Sequence, residues 1–181
     1  HGWGRPDPVD GMPQADKRYW LRNMGAAERA RVMLALLLGT LEVSHVNGIS
    51  VVGHLDRDAG KAVPLAYLRR PAREVFRVQL DCVQSWAALR AERAAEILSQ
   101  RNGFLAYYAP ILNLAGGRTP KTLELLGVAL ALSSHIVQQI KYQAACPRPV
   151  DYSARVQPMI ATPAHYSWPS GHSTQAFMVA R

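Results

Sequence analysis

Between Thr119 and Ala145 the chain carries a run that can only be a helix and that must be covered on more than one side. Thr119 suits the N-cap and Pro120 the first helical position, where its missing N–H costs nothing. Leu123, Leu126, Leu130, Val137 and Ile140 fall on one face, and Leu125, Val128 and Leu132 cover others. A helix apolar on most sides is a central buried one. The rest of the chain therefore has to wrap it. With 181 residues there is enough chain for one domain with a real core. Hydrophobic residues at 49% against 19% charged exclude disorder of the chain as a whole.

The remaining segments also read as helices. Gly25 to Val46 places Val32, Leu36, Gly39 and Val43 on one stripe, with Asn47-Gly48 as its left-handed end. Ile49 to Pro64 is irregular and leaves room for a small hairpin around the turn Asp56-Arg57-Asp58-Ala59-Gly60-Lys61. That turn lacks the further acidic ligands of a calcium loop and reads as a solvated turn. Pro71 to Gln100 reads as one long helix, with Val75, Val78, Cys82, Trp86 and Leu89 as its apolar stripe, widened by Phe76, Leu80 and Val83, and Asn102-Gly103 as its close. Phe104 to Leu114 is a short helix or a packed connector. Cys146 to Pro169 holds five prolines and reads as loop, and Ser170 begins a last helix. Residues 1–24 hold three prolines and form an extended N-terminal arm. The expected class is all-α, a helical bundle spanning residues 25–181 behind that arm.

Bulk properties narrow the function classes. The net charge is +8, but the basic residues are scattered and no adjacent run exceeds two, as in Arg69-Arg70. With neither a stacking aromatic array nor a reading motif, no nucleic-acid partner is expected. Cys82 and Cys146 lack metal-ligand spacing, so no metal site is expected, and whether they are bonded is open. No uninterrupted apolar run of ~18 residues occurs, so no transmembrane segment is expected. The chain begins with His1 rather than Met, which is compatible with a removed leader and a periplasmic or secreted protein.

The chemistry concentrates near the end. Lys141 sits in the last turns of the buried helix, on the core side, where an ammonium is costly unless an anion meets it. Arg148 follows seven residues on. At a rise of ~1.5 Å per residue the two α-carbons lie about 10 Å apart, within reach of one anion. Pro147 forces the chain to turn at Cys146. Further on, Pro169-Ser170-Gly171-His172 puts a serine at an N-cap, where free backbone N–H groups and a partial positive charge await an anion. Gly171 lets that anion approach the backbone. His172 falls in the first turn, beside any anion bound there, where an imidazole suits a proton donor. His165, in the loop before the motif, is a candidate for the pocket border.

Lys141-x6-Arg148-Pro149 followed by Pro169-Ser170-Gly171-His172 resembles the first two signature motifs of the superfamily that unites type 2 phosphatidic acid phosphatases, bacterial class A acid phosphatases and vanadium haloperoxidases. The resemblance covers under a fifth of the chain. It implies a helical bundle with phosphate or vanadate at its centre. It implies that Lys141, Arg148, Ser170 and Gly171 bind the oxyanion and that His172 is the catalytic acid. The third family motif, with Ser-Arg, a nucleophilic histidine and an Asp, does not occur before Arg181, so the resemblance implies a catalytic domain truncated at its C-terminal end.

The expected function is a metal-independent phosphatase that hydrolyses phosphate esters through a phosphohistidine intermediate, with no cofactor. The short interval between Pro149 and Pro169 favours it. The alternative is a vanadate-dependent haloperoxidase, which oxidises halide with hydrogen peroxide on the same scaffold. The run Ala164 to Gln175 favours that reading. A third reading is a non-catalytic helical binding module. The partners expected are a small phosphate ester, or halide and peroxide, and a homo-oligomer is compatible with all three.

Overall fold

The structure is a computed structural model that describes residues 17–56, 58–103 and 105–181. Residues 1–16 of the expected arm lie outside the described residues, as do Arg57 of the turn and Phe104. The described end of the arm, Lys17–Asn23, is a short helix, α1.

The fold is mixed α/β rather than all-α. The helix expected over Gly25 to Val46 stops early: α2 spans Ala26–Leu38, and Leu41–Val46 is a strand, β1. Asn47 and Gly48, at φ 51° and 76°, form a two-residue hairpin turn rather than a helix end. Both central residues of such a turn need positive φ, which Asn-Gly supplies. β2 spans Ile49–Asp56 and β3 Lys61–Arg69. The hairpin allowed for by the sequence is therefore real, and it belongs to a three-stranded antiparallel sheet in the order β1-β2-β3. Val43 opposes Val52 and Val51 opposes Tyr67. These are the β-branched and aromatic cross-strand pairs that stabilise sheets. Pairing breaks register between Val52 and Gly53, and a Cβ on Gly53 would come within 3.2 Å of the Ala62 methyl group. In the second turn Asp56 Oδ1 accepts from the N–H groups of Asp58 and Ala59, both at 3.0 Å, so this acid holds its own loop.

The long helix expected over Pro71 to Gln100 is two helices, α3 (Arg73–Ala87) and α4 (Ala94–Gly103), separated by turns. Its face is also rotated from the expected one. Val78 is 75% exposed and Trp86 72%, and Val75, Cys82 and Leu89 are exposed too. Phe76 and Leu80 turn inward instead, and Phe76 stacks on Tyr152 with ring centroids 5.8 Å apart. α5 is the single turn Leu105–Tyr108.

α6 (Pro120–Ala144) is the central helix that the sequence requires. It packs against α2, β1, β2 and the last helix, α8 (Gly171–Ala180). Its buried face runs through Val128, Ser133, Val137, Ile140, Lys141 and Ala144. By length and hydropathy the stretch Pro120–Tyr152 could cross a membrane. Here its helix is covered along one face, and only 28% of its most apolar segment is buried. Near its start Glu124 takes a two-pronged hydrogen bond from Arg29 of α2, at 2.5 and 2.7 Å. The same guanidinium donates to Met24 O at 2.7 Å, which ties the entry of α2 to α6. Between α6 and α8 the loop contains one further turn of helix, α7 (Pro149–Tyr152).

Candidate functional site

α6 ends at Ala145, which adopts the left-handed conformation at φ 48° and donates its N–H to Lys141 O. That turn redirects the chain just before Cys146, which is fully buried. Cys146 and the exposed Cys82 are both free thiols.

Lys141 is 3% exposed. Its Nζ donates to the carbonyls of Tyr166, at 2.9 Å, and Ser167, at 2.7 Å. Arg148 reaches the same segment from the other side. Its Nε donates to His165 O at 2.7 Å, and one terminal nitrogen lies 2.9 Å from His165 Nδ1 and 3.5 Å from Tyr166 O. The backbone N–H of Arg148 is taken by Asp151 Oδ2 at 2.7 Å, which fixes the start of α7. Among the described residues no carboxylate forms an ion pair with the Lys141 ammonium or the Arg148 guanidinium. Burial, and then the Arg148 charge, pull the Lys141 pKa down from 10.5 to about 8. Burial also lowers that of Arg148.

Ser167 closes this arrangement. Its N–H donates to Cys146 O at 3.0 Å and its hydroxyl to Pro147 O at 2.7 Å. The chain then passes through a cis Trp168–Pro169 bond into α8. Ser170 is the N-cap, and its Oγ accepts from Ser173 N at 3.2 Å. A Cβ at Gly171 would meet nothing within 4 Å, so the space beside this residue is open. Ser170 also lines a cavity of about 210 Å³ together with Ser167, Trp168, Pro149 and the Phe76–Tyr152 stack.

The structure thus brings Lys141 and Arg148 together on the strand of chain that leads directly into Ser170 and Gly171. It places His172 apart from them. The imidazole is exposed and lines a different cavity, of about 320 Å³, with Gln100, Arg101 and Leu105 near the end of α4 and Leu130 of α6. His165, the candidate border residue, contacts Arg148 directly.

Two participants were not singled out from sequence. Arg70, after β3, donates from Nε to Ala144 O at 2.6 Å and adds a third cation at the C-terminal end of α6. The helix dipole there favours positive charge. The only sequence sign of Arg70 was its place in the Arg69-Arg70 pair. Ser167 carried no sign at all, because its role is to bridge two carbonyls about 20 residues earlier in the chain.

The donor set suits a tetrahedral oxyanion. An ammonium has three N–H donors and a guanidinium five, more than the carbonyls consume. The Ser170 hydroxyl and the N–H groups at the start of α8 add neutral donors. Among the described residues no cluster of His, Cys, Asp and Glu could hold a metal ion. Comparison of the chain with protein-family models, curated proteins and solved structures finds no match.

Proposed function

We propose that the chain binds a phosphate-like oxyanion where the end of α6 meets the start of α8, and that it serves the hydrolysis of phosphate esters. The observation that carries this reading is the convergence of Lys141 and Arg148 on Tyr166 O with no carboxylate in an ion pair with either, the Asp151 charge acting on Arg148 only at longer range. Two cations held this close, one of them buried, leave positive charge that an anion would neutralise.

In this reading Lys141 and Arg148 take the non-bridging oxygens. Arginine supplies planar paired donors and lysine a compact charge. The Ser170 hydroxyl and the Gly171 N–H bind the remaining oxygen. Such donors gain strength as charge builds on those oxygens in the transition state. His172, in the first turn of α8, opens on the separate cavity beside α4 and is given no step in this reading. No residue of the chain is assigned the attacking role.

The same donors would hold vanadate in the haloperoxidase reading, where bound vanadate activates peroxide toward halide. The decisive experiment measures orthovanadate binding by calorimetry, followed by turnover of an aryl phosphate and of bromide with peroxide. Saturable vanadate binding that is lost in Lys141→Met, together with vanadate-inhibited phosphate release, is the expected result. Absence of binding, or binding indifferent to Lys141 and Arg148, overturns the site. Bromide oxidation switched on by vanadate replaces the hydrolase with the peroxidase.

A further inference from the structure

A groove of about 450 Å³ opens beside Arg148, between the end of α3, the body of α4 and the loop 155–163. Its walls are apolar: Val83 and Ala87 from α3, Ile97 from α4, Val150 from α7, and Val156 and Ile160 from the loop. The charged residues that line it are Arg90, Arg148 and Arg155, and no carboxylate is among its lining. Arg90 donates to Gln157 O and so pins the far wall to α3. Among the described residues, an apolar cleft whose lining carries charge of one sign fits an organic anion with an apolar body.

Position adds to this. Arg148 and Pro149 border the groove, and Pro149 also borders the cavity that holds Ser170. An oxyanion on Arg148 would therefore have its organic group at the mouth of the groove. We infer that the groove receives the leaving-group side of the substrate, a compact apolar and preferably aromatic group. The inference rests on the oxyanion reading of Lys141 and Arg148. Gln84, Gln157 and Thr162 are the neutral polar side chains among the lining, and a flat ring would bury its faces on the apolar walls between them.

Two non-hydrolysable probes separate this inference from its premise: methylphosphonate and (1-naphthyl)methylphosphonate. The naphthyl probe is expected to bind about tenfold to a hundredfold tighter, the return on burying a ring system. Ala87→Phe, which fills the groove, should abolish that advantage and leave methylphosphonate binding unchanged. Ile160→Ser, on the opposite wall, should reduce the advantage by a smaller factor, and it serves if Ala87→Phe lowers the folded fraction seen by circular dichroism. Equal affinity for the two probes overturns the groove and spares the oxyanion site. Tight binding of the naphthyl probe with no methylphosphonate binding supports the groove and removes the oxyanion site. Failure of both probes overturns both.

Discussion

The Lys141 ammonium lies 2.9 Å from the carbonyl oxygen of Tyr166, a residue 25 positions later that stands just before the Ser170 cap. A buried cation on the central helix thereby sets the position of the segment that opens α8. Structure and binding are joined in one side chain, and replacing it should affect both. Lys141→Met leaves the carbonyls of Tyr166 and Ser167 without their charged donor. Unfolding in urea should show a loss on the order of 2 kcal/mol, with vanadate binding abolished.

The same lysine gives the protein a pH signature. Its folded pKa of about 8 lies below the ordinary 10.5, because burial and Arg148 oppose the charge. Between these values the unfolded chain binds more protons than the folded one, so stability contributed by this group rises from pH 8 to pH 10.5. Anion affinity moves the opposite way, falling as pH rises through about 8 and the ammonium is lost. Stability and vanadate titrations across pH 7–10 should show opposite slopes in the native chain. Neither slope should survive in Lys141→Met.

At the other end of α6, Arg29 holds the Glu124 carboxyl far below its usual range, to about 2. The stability from this pair is fully present above pH 4.5 and is lost as pH falls from there toward 2. Glu124→Gln should lower the melting temperature at pH 7 and flatten acid unfolding within that window. Equal acid sensitivity in the variant would show that the pair does not fasten α2 to α6.

His172 and Arg148 should separate the two cavities. His172→Ala alters the cavity beside α4 and is expected to leave vanadate affinity and hydrolysis little changed. Arg148→Ala should weaken binding by about tenfold or more, since it removes a charged donor. Calorimetry beside steady-state turnover reads the two effects apart.

The rotation of α3 can be tested on stability alone. Val78 and Trp86 face solvent, whereas Leu80 turns toward Ser170 and Trp168. Val78→Lys should change unfolding free energy by less than about 0.5 kcal/mol. Leu80→Lys should cost on the order of 2 kcal/mol or more, because its ammonium would enter an apolar wall.

The central helix, the cap at Ser170 and the nearness of Lys141 to Arg148 were all legible in the sequence. Each depends on local chemistry: an N1 proline, a serine cap, a basic pair one chain turn apart. Of the sheet, only the hairpin around Asp56 was legible, and its first strand was not. Leu41-Glu42-Val43-Ser44-His45-Val46 satisfies a helical stripe and a strand alternation alike, and only pairing with β2, itself held by β3, decides between them. α3 failed similarly. Its apolar residues occupy two overlapping stripes, and the choice between them is made by Tyr152, far away in sequence. The separate cavity of His172 was hidden as well, because it depends on where α4 ends relative to α8.

Ser167 clasps Cys146 and Pro147, so residues 149–164 form an excursion whose two ends are fastened to each other at its base. Lengthening such a closed excursion is thermodynamically mild, about 0.6 kcal/mol for each doubling. Lys141 and Arg148, proposed above to bind the anion, stand at the clasp, while the loop beyond it supplies one wall of the groove. Under that proposal, insertions there would reshape the groove without disturbing the two cations, so substrate size would vary while one anchoring chemistry stayed the same.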